Sequence, residues 1–226
     1  MCLELKDGIS LYNEKKYDEA LVFFLSVSAE DEYIKTEVNY YIGLIYSRLL
    51  QYEHALEYLE QVVTANTDIA KAYQCRLILA FIYVHTERTR LAEFELSKLI
   101  QGGYESAQVF ASMAYVSYEH NEVLKAIDYY EKALKTDGEN ATALNGLGYV
   151  LAETERDLTR ALVLCKKAAE KQPENPAYLD SLAFIYFKME LIKDAALCIK
   201  KAKEKLPENR IVCSHYELIM AKEEAL

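Results

Sequence analysis

Apolar and polar positions along the chain follow a helical rather than a strand period, and the pattern itself recurs. Tyr46, Leu56, Leu59 and Val62 fall at helical spacing around Ala55, and Tyr186, Ile199 and Ala202 do the same around Ala195. Alanine marks the period: Ala20, Ala55, Ala92, Ala126, Ala161 and Ala195 are separated by 35, 37, 34, 35 and 34 residues. A second small residue stands twelve positions before most of them, at Gly8, Gly43, Ala80, Ala114 and Ala183, while Gly148 stands thirteen before its alanine. Self-similarity at this period predicts stacked supersecondary units. Each unit reads as two antiparallel helices joined by a short polar turn.

The two small residues have a packing reason. Helix backbones approach closely only where neither surface carries a large side chain, so one small residue is needed on each facing surface. One helix pair leaves an apolar stripe uncovered; stacking the next pair covers it, which makes a solenoid stabilised by units and interfaces in sum. After Pro207, Ile211, Tyr216, Ile219 and Met220 share one helical face opposite Glu and Lys, which predicts a closing helix over 209–226 that shields the last unit, with a dimer seam as the alternative. Gln101, Gly102, Gly103 and Tyr104 form a soft joint, because paired glycines disfavour helix. The chain is nevertheless expected to continue through it as one array.

These residues resemble the tetratricopeptide repeat family. The small, aromatic and alanine signature is clearest in GLIYSRLLQYEHALEYLEQVV, in AIDYYEKALKTDGENA and in LDSLAFIYFKMELIKDAALCIKKAKEKLPEN. The resemblance implies an all-α, right-handed solenoid of six units at about 1–34, 36–69, 73–104, 107–138, 141–174 and 176–208. The family's early tryptophan is missing throughout, with Glu4, Asn39, Arg76, Phe110, Leu144 and Leu179 in its place. Its helix-ending proline is kept as Pro173 and Pro207, and Glu32, Thr67, Tyr104 and Gly138 stand at the other four positions.

Composition agrees with a folded helical chain: 52% of residues are hydrophobic and 27% charged, with seven Gly and three Pro in 226. No apolar run reaches the roughly 18 residues a membrane span requires. The opening MCLELKDG has no basic start followed by an apolar signal core, so a cytoplasmic location is expected; a chain whose export signal had been removed would read the same, which leaves the periplasm as the alternative. Cys2, Cys75, Cys165, Cys198 and Cys213 are odd in number and widely spaced, which signals neither a disulfide framework nor a zinc site. A net charge of −10 argues against nucleic-acid binding. The charge is uneven: residues 1–160 hold 15 Lys and Arg against 26 Asp and Glu, and residues 161–210 hold 10 against 7.

Catalytic chemistry finds little purchase. His54, His85, His120 and His215 show no HxH or HExxH spacing and read as structural or surface residues. Gly146 and Gly148 begin like a dinucleotide fingerprint, but position 151 is Leu and no strand precedes them. Glu153 and Glu155 read as members of a solvated inter-helix turn, ETERD, one residue longer than the others. No cofactor, no metal and no enzymatic activity are expected, although fold alone does not exclude an enzyme using a polar groove residue such as Asp180.

In the family, the first helix of each unit lines a groove. Projected through the small-residue anchors, the resemblance places Tyr40, Phe81, Tyr115, Tyr118, Tyr149, Phe184 and Phe187 on that wall, with Arg48, Gln108, Asn145, Asp180 and Lys188 beside them. Such rings either offer a partner large contact area at low entropic cost or pack between adjacent first helices as core. The carboxylate clamp of chaperone-associated members does not carry over, since Leu5, Ile9, Tyr40, Leu44, Leu77 and Phe81 occupy its positions. Lys166, Lys167, Lys171, Lys200, Lys201, Lys203 and Lys205 recur on second helices, as a solvated face or one for an acidic partner. The expected function is therefore a non-catalytic adaptor that binds a protein or peptide segment within a larger assembly. The alternative is a structural subunit that self-associates weakly through its ends or its lysine face. The GYVLAE and NPAYLDSL contexts resemble bacterial members.

Overall fold

The computed structural model describes residues 5–28 and 30–225, and within them every regular element is helical. The chain divides into two compact units, Met1–Tyr104 and Glu105–Leu226. The first unit holds α1 (Lys6–Asn13), α2 (Tyr17–Ser26), α3 (Glu32–Arg48), α4 (Tyr52–Ala65), α5 (Ile69–His85) and α6 (Thr89–Gln101). The second holds α7 (Ala107–Glu119), α8 (Val123–Thr136), α9 (Ala141–Glu153), α10 (Leu158–Lys171), α11 (Pro176–Lys188), α12 (Ile192–Lys205) and α13 (Arg210–Glu224). Successive helices pair as hairpins, and within each unit a hairpin packs on the first helix of the next. The result is a helical solenoid in which α1, α3 and α5 form one layer of the first unit, and α7, α9, α11 and α13 one layer of the second.

The division at Tyr104 falls at the Gln101–Tyr104 joint. Its local cause is visible in the sequence: Gly102 caps α6, Gly103 adopts φ +80°, and Ser106 caps α7. The unit boundaries also shift. Glu32 and Ile69 open α3 and α5, so these helices run 17 residues against 13 in α7, α9 and α11. Asp31 and Asp68 set the early starts, because each side chain accepts backbone N–H bonds from the first turn. One added turn is about 6 Å of helix.

The small anchors sit where backbones meet. A Cβ at Gly43 would fall 2.7 Å from Leu59 Cδ2, and one at Gly148 would fall 2.5 Å from Cys165 Sγ and 3.0 Å from the Ala161 carbonyl oxygen. The six alanine anchors are fully buried. In the first unit, Leu5, Phe24, Ile42 and Ile45 form a core with Tyr41 stacked on Phe24, ring centroids 5.0 Å apart. Where the family places tryptophan, this unit joins the two helices of a hairpin by a polar contact: Asn39 donates to Gln61 at 3.0 Å, and Arg76 donates to buried Glu95 at 2.5 Å. Burial raises the Glu95 pKa, while Arg76 opposes the shift. The corresponding Phe110, Leu144 and Leu179 of the second unit are buried apolar residues; Glu4 lies outside the described residues.

Turns within hairpins follow one scheme. Five are three residues long, and the fifth hairpin has four, Thr154–Asp157, as its extra residue predicts. The second residue of each turn has positive φ: Lys15, Leu50, Glu87, Asn121, Glu155 and Glu190, from 53° to 62°. After the three-residue turns, the second helices have no side-chain N-cap bond. The longer turn supplies one, since Asp157 accepts from the Arg160 N–H at 2.8 Å. Left-handed backbone is unfavourable for a residue with a Cβ. Leu50→Gly, at an exposed turn position, is therefore expected to stabilise the protein by about 0.5–1 kcal/mol, after the entropy glycine adds to the unfolded chain. An unchanged or lowered melting temperature would contradict that account.

Candidate functional site

The first helices of the second unit bring four rings into sequence. Tyr118 on α7 meets Tyr149 on α9 edge-on, with centroids 6.1 Å apart. Tyr149 meets Phe184 on α11 at 5.6 Å, and Phe184 stacks on His215 of α13 at 4.7 Å. The separations in sequence are near the repeat period, so each helix contributes its ring from an equivalent part of its surface.

Polar groups fix these rings. The Tyr118 hydroxyl donates to Glu153 Oε2 at 2.6 Å, and His215 Nδ1 donates to the carboxylate of buried Asp180, 3.0 and 3.1 Å from its two oxygens. Burial, then Glu153, raises the Tyr118 pKa. Burial likewise pushes Tyr149 up to about 12, assisted by Glu153, Asp180 and Glu119. Lys188 bonds Glu155 at 2.6 Å and lies 5.6 Å from the centre of the Phe184 ring.

The expected wall residues divide by what surrounds them. Tyr118 and Tyr149 are half-buried, and Tyr115 is 41% exposed. Phe184 is buried, covered in part by His215, and Phe187 packs against the core shared by α11, α12 and α13. Asn145 lies one turn before Tyr149, and its buried Oδ1 has no partner among the described residues. Gln108 is exposed and Lys188 half-buried. In the first unit, Tyr40 is not an open wall residue. It packs as core between α3 and α5, and its hydroxyl donates to Gln74 at 2.7 Å. Phe81 is 52% exposed and rests on His85 of its own helix, 4.1 Å between ring centres, and Arg48 is exposed at the end of α3.

Two wall groups lay outside the sequence-based assignment. Glu153 is the last residue of α9 rather than part of the turn. His215, read as structural or surface, is the fourth ring of the series. The signal for it was the asparagine N-cap: Asn209 follows Asn175 by 34 residues, which puts α13 in register with α11 and His215 opposite Ser181.

A tetratricopeptide repeat family profile matches residues 112–176, which take in most of α7 and all of α8, α9 and α10, and so include the Tyr118–Tyr149 contact. A TPR repeat-containing protein of Pseudomonas aeruginosa is 34% identical over 73 residues, which span 32% of this chain and 12% of that protein. Solved TPR structures extend the likeness over most of the fold. Residues 112–176 carry the tetratricopeptide repeat signature, and the chain has the TPR fold. A chain of the APC/C hetero-tetramer Cut9–Hcn1 superposes with a TM-score of 0.72 at 14% identity, covering 95% of this chain and 42% of that one. YrrB, described as a TPR protein with an unusual peptide-binding site, gives 0.56 at 19% identity, covering 80% and 91%. The thermophilic TPR protein TTC0263 of Thermus thermophilus gives 0.62 at 16% identity, covering 82% and 99%. At these identities the likeness is one of fold. TPR proteins are generally non-catalytic repeat scaffolds, and the TPR fold implies a role in protein–protein interaction.

Several other polar clusters are locally satisfied. Lys167 and Lys171 both reach Glu139, holding its carboxyl down at about 2 through hydrogen bonds from Lys167 first and Lys171 next. Lys205 pairs with Glu174 at 2.5 Å, Lys200 with Glu223 at 3.0 Å, Lys203 donates to the Pro207 carbonyl, and Lys166 lies 5.7 Å from the centre of the Tyr186 ring. Cys75 and Cys165 are buried thiols pushed up to about 12 by burial, and Cys2 lies outside the described residues. Among the described residues no three His, Cys, Asp or Glu side chains gather as metal ligands, and no helix is long and apolar enough to cross a membrane.

Proposed function

We propose that this TPR protein is an adaptor that holds a segment of a protein partner on the aromatic wall of its second unit, within a larger assembly. The reading rests on the continuous ring series Tyr118, Tyr149, Phe184 and His215, with Tyr115, Asn145 and Asp180 beside it. Half-exposed rings fixed by hydrogen bonds lose little entropy on contact, and a patch of this kind rimmed by polar groups suits a partner. Phe184 and Phe187 support the wall from beneath, and catalysis forms no part of the reading. The competing role, self-association through the lysine face, is weakened because Lys167, Lys171, Lys200 and Lys205 are already engaged with carboxylates of their own unit.

The test removes the two half-exposed rings and leaves the buried one. Tyr118→Ala with Tyr149→Ala is expected to reduce recovery of the partner, identified by affinity capture and mass spectrometry with the intact protein, at least tenfold, while helical content stays unchanged by circular dichroism. Equal recovery by both proteins would rule the wall out as the docking surface.

A further inference from the structure

The ring series is surrounded by negative charge. Glu119 closes α7, Glu153 closes α9, and both are exposed; buried Asp180 is bonded to His215, whose ring centre is 6.4 Å from that of Tyr149. Burial is the first cause that disfavours the Tyr149 anion, and all three carboxylates add to it in the same sense. A site whose field opposes an added negative charge favours an added positive one. Lys188, beside the Phe184 ring, does not neutralise this region, because Glu155 holds its ammonium at 2.6 Å. Glu153 takes the Tyr118 hydroxyl on one oxygen, and the residue is exposed.

We propose, building on the wall described above, that the partner segment is anchored by an arginine side chain whose guanidinium lies against the Tyr149 ring and pairs with Glu153. The chemistry separates this occupant from others. A tyrosine face attracts a cation through its quadrupole, and the half-buried setting strengthens that attraction over its value in water. The planar guanidinium stacks on a ring while directing N–H donors in its own plane, so it can satisfy ring and carboxylate together; a lysine ammonium, a strongly hydrated point charge, suits this pairing less. An acidic segment would meet the exposed Glu119 and Glu153 with repulsion at each.

The inference is tested on the full chain by following backbone amide chemical shifts during titration with Nα-acetyl-L-arginine amide, its neutral isostere Nα-acetyl-L-citrulline amide, and Nα-acetyl-L-leucine amide. Saturable shifts centred on Tyr118, Tyr149 and Glu153 are expected for the arginine probe, with an affinity at least fivefold above that of citrulline. Glu153→Gln, at an exposed position, should abolish the difference. Equal affinities for arginine and citrulline, or arginine shifts scattered over exposed glutamates away from the wall, would overturn the arginine anchor. Shifts at Tyr115 and Tyr149 with leucine but no preference for arginine would overturn it while leaving the wall as an apolar docking surface. Failure of all three probes to shift the wall would count against both.

Discussion

Replacing Phe24 with alanine is expected to destabilise the first unit by about 3–5 kcal/mol, the range for removing a fully buried aromatic ring from a packed core. Phe24 has no exposed surface, stacks on Tyr41 and meets Phe23 edge-on, so one substitution removes contacts in α2 and, through Tyr41, in α3. Apolar transfer and cavity formation contribute with the same sign. Hydrogen exchange should locate the loss: the amides of α1, α2 and α3 should exchange faster. A change below about 1 kcal/mol would mean that the surrounding side chains close over the space, against the packing described.

Gly148→Ala should be nearly as costly for the second unit, at about 1–3 kcal/mol, although it adds a single methyl group. That methyl would stand 2.5 Å from Cys165 Sγ and 3.0 Å from the Ala161 carbonyl oxygen, so α9 and α10 must separate or Cys165 must turn. A second substitution distinguishes the two obstacles. With Cys165→Ala the sulfur is gone and the carbonyl remains, so the double variant should lose less stability than the sum of the two single losses. Strict additivity in urea unfolding would show that the sulfur is not the obstacle and that the backbone of α10 sets the limit.

The sequence made the repeat legible because a helix-pair interface needs small residues at fixed positions. Ala20, Ala55, Ala92, Ala126, Ala161 and Ala195 are all fully buried, and the extra residue before Ala161 appears as the four-residue turn. Helix starts in the first unit were less legible. Asp31 and Asp68 act as caps four to five residues upstream of the periodic signal, and a cap is one side-chain bond among many polar residues. The wall was legible only in part, since periodicity tells which face of a helix a ring occupies but not what covers it. Tyr40 and Phe184 share the repeat position of Tyr149 or its neighbour one turn away, yet Gln74 and His215 occupy the space in front of them. Those partners come from helices 34 and 31 residues downstream, where side-chain packing between successive first helices decides exposure.

His215 gives α13 a stake in the surface beside it. The helix is held to α11 through the Asp180 carboxylate and the Phe184 ring as well as through its apolar seam. Any molecule that settles on Tyr149 and His215 must therefore also share in holding the last helix down, and by mass-action linkage it shifts the fraying equilibrium of that helix toward the docked form. Occupancy of the wall thereby becomes readable at a distance, in how readily a protease cuts α13.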